Sequence, residues 1–516
     1  MIAAMGMRAA AFAVVVLVAT GAAAQEKTLR VGLTGTDAGS LDPHRSSAGQ
    51  DTPVFASLFN ALVRFPPGSA DPARIEPDLA ERWERSPDGL VWTFRLRRGV
   101  KFHHGFGEAT ADDVAWSLTR AADSKRSNFA ADYAEFKSVE AVDPATIRIT
   151  LTARVPSLIG LVADYHGGLI FSRKADEQLR EGFKDKPVGT GPFAFDAYDP
   201  KTSTTLAAHR EYFRGSPKLA KVMFRYINSD QTRELAFQAG ELDLAQGRRE
   251  QRWVERMKTV PGTVVEVFSP GEFRTLLINA KMGPLADVRV RQAIVHAIDV
   301  SSLIRFVGAD VAIPGRSVVP QGYLGETPDV PRYPYDPEKA KALLAAAGHA
   351  GGLTIRSVVS SIPTQLPIME QVQAQLKKVG ITLDMDVVDH PTYHARIRQD
   401  LSALTFYGAA RFPIADTYLT QFYHSRSAMG QPAASLNFAH CAAADSEIDA
   451  ARSETDAAKQ LALWAEAQRR IIAAACSVPL YDLLQVWVRT AKVDYGYKLE
   501  GALSLGPPVT ERARLN

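Results

Sequence analysis

One stretch, residues 76–118 (EPDLAERWERSPDGLVWTFRLRRGVKFHHGFGEATADDVAWSL), constrains the fold more than any other. Pro87-Asp88-Gly89 is turn chemistry, because proline presets φ and glycine accepts the left-handed region. The following Val91-Trp92-Thr93-Phe94-Arg95-Leu96 is dense in β-branched and aromatic residues and reads as a strand. Thr110 is placed to cap a helix starting at Ala111, with Asp112 and Asp113 at the positive end of its dipole. A hairpin element feeding an amphipathic helix points to an α/β domain.

Strands and helices mix along the rest of the chain. Residues 29–33, 146–152, 189–198, 275–279 and 381–385 read as strands. Residues 52–62, 232–240, 287–298, 366–379 and 454–475 read as helices. So does 336–347, where Asp336 can cap, Pro337 suits the first turn and Gly348 can terminate. Gly189-Thr190-Gly191-Pro192 leads into a strand-like segment, which disfavours a phosphate-binding loop. At 516 residues the chain exceeds a single core, so two or three domains are expected.

The ends and the composition narrow the setting. Arg8, the apolar run 9–19 and Ala22-Ala23-Ala24 form a secretory signal with cleavage expected before Gln25. No cysteine follows that could be lipidated, and no later segment reaches the ~18 apolar residues of a membrane span. The formal charge of +3, with acids and bases interspersed, leaves no clustered basic face for nucleic acid. The two cysteines, Cys441 and Cys476, are expected to pair in an oxidising compartment, two buried thiols being the alternative.

Beyond its local sense, the 76–118 stretch resembles a signature of the family 5 extracellular solute-binding proteins, the dipeptide-, oligopeptide- and nickel-type receptors of ABC importers. The residues that carry it are Pro77-Asp78-Leu79-Ala80, the run 88–96, Arg98-Gly99-Val100-Lys101-Phe102-His103 and Ala111-Asp112-Asp113-Val114. Ser40-Leu41-Asp42-Pro43, Leu58-Phe59-Asn60-Ala61-Leu62, Gly189-Thr190-Gly191-Pro192-Phe193, Gly240-Glu241-Leu242-Asp243 and the run 287–294 extend it over residues 29–503. The resemblance implies an α/β, two-lobed binding protein of the large, three-domain type II form that binds peptides. The implied division is a signal peptide over 1–24, a first-lobe core from 25–60, 187–270 and 485–516, an additional domain over 61–186, and a second lobe over 271–484. It implies a monomeric periplasmic receptor that serves a permease and ATPase complex, with no cofactor and no chemistry of its own.

The sequence offers no catalytic constellation: no nucleophile elbow, no H-E-x-x-H, no C-x-x-C and no phosphate-loop lysine. His103 and His104 are adjacent on a strand-like segment and would point apart. His390 and His394 could share a helix face, but Pro391 favours a loop or a helix start, and neither pair is expected to hold a metal. The resemblance places the ligand between the lobes and maps three segments there: Gly35-Thr36-Asp37-Ala38, Asp164-Tyr165-His166-Gly167, and residues 407–416. Peptide receptors of this family carry an aspartate in the third segment that receives the peptide ammonium. Aligned on Ala410, Phe412 and Tyr418-Leu419, this chain has Arg411 at that position, and a one-residue slip gives Ala410; Asp416 lies too far on to replace the acid. The expected ligand wall is Arg411 with Tyr407, Phe412, Tyr165, His166, Thr36 and Asp37, and the expected solute is peptide-like or small, polar and anionic. The competing readings are an exported hydrolase and a chaperone-like periplasmic peptide binder without a transporter.

Overall fold

The computed structural model describes residues 27–516 except Ser47 and Asp164. The expected signal peptide and Asp164 fall outside the described residues.

The centre is a nine-stranded mixed sheet. Strand Thr28–Leu33 pairs in parallel with Lys221–Tyr226 on one side and Leu244–Gln246 on the other. Ser203–Ala208 and Phe193–Asp199 extend one edge by antiparallel pairing. On the other edge Leu244–Gln246 meets Ser477–Thr490, which pairs with Thr263–Ile278, which pairs with Leu404–Ala409. The short strand Ala312–Pro314 also pairs with Ser477–Thr490. A second, four-stranded antiparallel sheet is built from Ala80–Arg85, Val91–Leu96, Thr146–Leu151 and Phe136–Asp143. Leu353–Ser360 and Ile381–Val388 form a parallel pair joined through helix Leu366–Lys377, a βαβ unit.

The two longest strands, Thr263–Ile278 and Ser477–Thr490, run 16 and 14 residues. The sequence reading began the first only at 275. Glu266, Ser269, Glu272 and Arg274 interrupt the strand, and its longest apolar run is the terminal Leu276-Leu277-Ile278. Their mutual ladder is broken between Phe268 and Glu272 and resumes on the far side. The expected helix over 454–475 is found as Ala457–Ala473, which Asp456 caps by accepting from Lys459 N at 2.9 Å, and a separate helix, Asp445–Ser453, precedes it.

The residues that carried the sequence signature are knotted together. Asp78 accepts from Asn60 Nδ2 at 2.9 Å, from Ala61 N at 3.1 Å and from Arg214 at 3.0 Å. Thr190 Oγ1 donates to the other end of the Asn60 amide at 3.0 Å. His103 is buried: Gly189 N donates to its Nδ1 at 3.3 Å, and its Nε2 is 3.0 Å from Gly191 O. This fixes the Nε2–H tautomer, and burial lowers the ring's pKa to about 3, so the bridge stays neutral. A Cβ at Gly189 would lie 2.2 Å from Leu58 O, and one at Gly191 2.4 Å from Leu58 C, which explains both glycines of the turn. Thr110 and Asp113 cap helix Ala111–Ala121 as expected, Asp113 accepting from Thr110 N and Oγ1 at 3.0 Å each.

Cys441 and Cys476 are disulfide-bonded. Closing a loop of this length stabilises by roughly 3–4 kcal/mol in the chain-entropy model.

Candidate ligand site

Arg411 follows strand Leu404–Ala409, beyond the last ladder pair Phe273–Ala409, where the chain leaves the sheet. It lies on the wall of a cavity of about 790 Å³, within the range of small-molecule sites. Its Nε donates to Gln421 Oε1 at 3.0 Å and an Nη to its neighbour Ala410 O at 2.9 Å. Both partners are neutral. The nearest carboxylate in this network, Asp132, is reached only through Gln421, whose Nε2 donates to it at 2.8 Å. Burial disfavours the guanidinium charge, but the oxygens of Tyr165, Tyr407 and Asp132 outweigh it and hold the pKa above its usual value. Burial also raises the Asp132 carboxyl, against the pull of Arg411.

Tyr165 and His166 stand on the same wall. The Tyr165 hydroxyl donates to Ala410 O at 2.8 Å, which fixes the backbone beside Arg411. His166 stacks on Tyr165 with centroids 3.6 Å apart and on Phe129 at 4.5 Å. Burial, with Arg411 beside it, pushes the His166 imidazole well below its ordinary pKa, so it stays neutral. Tyr407 lines the same cavity and packs on Phe438 at 5.4 Å. Phe412 points instead into a smaller chamber of about 200 Å³ behind Arg411, against Phe65 at 5.8 Å. Arg411, Tyr165, His166, Asp132 and Gln421 line both spaces.

Thr36 and Asp37 do not line either cavity. The Asp37 carboxylate accepts from the Tyr198 hydroxyl at 2.8 Å, on the edge strand Phe193–Asp199. Asp416 borders the rear chamber but is buried and lies 3.7 Å from Arg452, so it is already neutralised.

The sequence reading missed Asp132, Gln421, Phe129 and Glu272. All four lie outside the motifs that carry the resemblance. Glu272 stands where the ladder of the long strands resumes, paired with Arg249 at 2.8 Å and with Arg274. Burial opposes its charge, but the two arginines hold its pKa down to about 2. His390 begins helix His390–Arg398, and both His390 and His394 face the cavity.

A model of the bacterial extracellular solute-binding proteins, family 5, matches residues 74–430. The chain belongs to this family. Its solute-binding relatives include heme-binding protein A of Haemophilus influenzae, 30% identical over 80% of this chain and 79% of its own length. Di/tripeptide-binding protein 2 of Pseudomonas aeruginosa is 30% identical over 86% and 88%. Among solved structures, the periplasmic binding protein MoaA of A. tumefaciens R10, in complex with mannopinic acid, is 45% identical with a TM-score of 0.88. The match covers 95% of this chain and all of that one. DppA of Helicobacter pylori, in complex with the peptide STSA, is 28% identical with a TM-score of 0.82 over 95% and 98%. This solute-binding protein therefore has the mixed α/β architecture of the large peptide-binding receptors, and its family binds solutes for ABC importers rather than transforming them. Among the described residues no helix is long and apolar enough to cross a membrane.

Proposed function

We propose that this protein is the periplasmic receptor of an ABC importer for a small organic acid, and that Arg411 takes the acid's carboxylate. The observation that carries the reading is a guanidinium on a cavity wall whose hydrogen-bond partners are all neutral. Arginine cannot shed its charge, and its planar fork suits a carboxylate. The 45% identical neighbour that holds mannopinic acid supports an acid as the solute. A free peptide ammonium fits poorly, because the acids near this wall are already engaged, Asp416 by Arg452, Glu272 by Arg249 and Arg274, and Asp132 by the Gln421 amide.

The division into lobes is part of the proposal. Residues 25–60, 187–270 and 485–516 form one core, 61–186 its added domain and 271–484 the second lobe. The ladder break between Phe268 and Glu272 supports a bending point there. The solute's differential affinity for the closed form drives closure, and the closed form docks on a permease with its ATPase. Export with cleavage before Gln25 completes the picture, and N-terminal sequencing of the periplasmic protein checks it. Calorimetry of the purified protein against organic acids, including mannopinic acid, and against di- and tripeptides is the central test. Micromolar binding of an acid corresponds to about 8 kcal/mol. Tight binding of free-amine peptides that survives Arg411→Ala unchanged overturns the ligand class.

A further inference from the structure

We propose that a hollow beside the signature knot, framed by Arg97, Arg214, Lys218 and Arg512 around Glu511, binds one inorganic hydrogen phosphate ion. None of these residues borders the cavity at Arg411, so the site stands independently of the solute reading.

Three distant segments meet there. Arg97 follows strand Val91–Leu96, Arg214 and Lys218 lie between strands Ser203–Ala208 and Lys221–Tyr226, and Glu511 and Arg512 precede the closing strand Arg514–Leu515. Lys218 N donates to Glu511 O at 3.2 Å, which ties the second segment to the third. The hollow they enclose is exposed and about 530 Å³ in volume. Phe213 steadies two of the arginines: the Arg214 guanidinium lies over its ring at 5.0 Å and that of Arg97 at 5.8 Å. Stacking on an aromatic face orients a guanidinium without using its N–H groups.

The charge balance favours a dianion. Arg97, Arg214, Lys218 and Arg512 line the hollow, and Arg210 reaches its edge by donating to Pro217 O at 3.2 Å. Three acids answer these five cations: Asp78 accepts from Arg214 at 3.0 Å, Glu81 lies 3.7 Å from Arg97, and Glu511 lies 3.4 Å from Arg512. A surplus of two positive charges remains, and the Lys218 ammonium has no side-chain partner among the described residues.

Two buried polar atoms choose the anion. Arg214 Nε is buried and donates to nothing among the described residues, while an Nη of the same fork is engaged by Pro77 O at 2.7 Å and by Asp78. Glu511 is 7% exposed, and its Oε2 accepts nothing among the described residues. Both residues border the hollow. A buried polar group left without a partner bears its full desolvation cost. The matching ligand accepts hydrogen bonds from cations and also donates one to a carboxylate. Sulfate, a carboxylate and a phosphodiester group only accept. A phosphomonoester loses its last proton with a pKa of about 6. Bicarbonate keeps an O–H but carries a single charge. Inorganic phosphate near neutral pH keeps a P–OH, which donates to Glu511 while the other oxygens accept from Arg214, Arg97 and Lys218. The ion then clasps three segments that the chain itself leaves far apart.

The test uses the full-length mature protein, dialysed into phosphate-free buffer at about pH 7.5 with about 0.15 M sodium chloride to screen loose ion pairing. Sodium phosphate titrated calorimetrically is expected to bind one equivalent with a Kd of about 0.1 mM. Sodium sulfate at matched ionic strength should bind about tenfold more weakly or less. Lys218→Ala, at an exposed position, should weaken phosphate binding about tenfold, and Glu511→Gln should bring the affinities for phosphate and sulfate close together. Unchanged thermal melts confirm that the variants fold. Should Glu511→Gln fail to fold, the preference of the wild type for phosphate over sulfate and the loss in Lys218→Ala decide the matter. The site is overturned by the absence of saturable phosphate binding, by sulfate bound as tightly as phosphate, or by phosphate affinity unchanged in Lys218→Ala. Flotation of the wild type, but not of Lys218→Ala, with phosphatidylglycerol vesicles also overturns it, because the hollow is then a membrane contact and not a site for a free ion.

Discussion

Two arginines separate the scaffold from the cavity. Arg120, on helix Ala111–Ala121, is buried over Phe171 and forks onto Asp42, with one contact at 3.1 Å, while Asp176 lies 3.9 Å away. Arg411 has comparable surroundings of aromatic rings but no carboxylate of its own. A partner that belongs to the chain makes an arginine part of the fold; a missing one leaves it facing a solute. Asp482 adds the acidic counterpart. It is buried on strand Ser477–Thr490 with an unpartnered Oδ1, and burial raises its pKa to about 7. A carboxyl can take up a proton when it lacks a cation, whereas a guanidinium cannot lose one.

The contrast sets the order of effects. Arg120→Ala leaves Asp42 buried and uncompensated, while Asp176 keeps Arg126 at 2.6 Å, and should cost about 3–5 kcal/mol in urea unfolding. A loss under about 1 kcal/mol would erase the distinction between the two arginines. Arg411→Ala should leave urea stability nearly untouched while weakening organic-acid binding by about 1.5–3 kcal/mol, ten- to a hundredfold. Stability that falls as far as in Arg120→Ala would make Arg411 another scaffold residue.

Asp482 sharpens the same point through pH. Its folded pKa is raised above the unfolded value, so the native state binds the extra proton, and stability falls as pH rises from about 4 through about 7. Asp482→Asn should therefore stabilise by roughly 1–3 kcal/mol near pH 8 and by little near pH 4. Parallel pH–stability curves for the two proteins would contradict it. The smallest effect is expected from Tyr165→Phe, which removes the donor to Ala410 O. Binding should weaken about fivefold, in line with one neutral hydrogen bond of about 1 kcal/mol. No change in acid affinity would mean that Arg411 is positioned without it.

The same contrast explains what was legible in the sequence. The signature residues Asp78, Asn60, His103, Gly189 and Gly191 lock four segments into one knot, and close packing leaves few other residues able to do so. Such demands give recognisable strings, and fold and family follow from them. The helix over 454–475 was legible, its start moved to Ala457 by the cap at Asp456, whereas the short helix Asp445–Ser453 before it has no side-chain cap to announce it. Arg411, Tyr165, His166 and Tyr407 do meet on one cavity wall, and Phe412 borders the chamber behind it. Thr36 and Asp37 do not join them, because the loop carrying them turns toward Tyr198. Asp132 and Gln421 left no trace in sequence: their place depends on how a 3-10 turn at Ala130–Tyr133 and helix Ala415–Tyr423 approach each other across 289 residues.

The Cys441–Cys476 bond has a practical consequence for making this protein. It staples the segment just after the cavity-wall residues Ala434, Ser435 and Leu436 to the start of strand Ser477–Thr490, with helices Asp445–Ser453 and Ala457–Ala473 inside the loop. Material produced in a reducing cytosol lacks that staple, and this part of the cavity lining then hangs on packing alone. Affinities measured on such material describe a looser receptor than the one an oxidising host delivers, so the choice of expression compartment becomes part of the binding measurement.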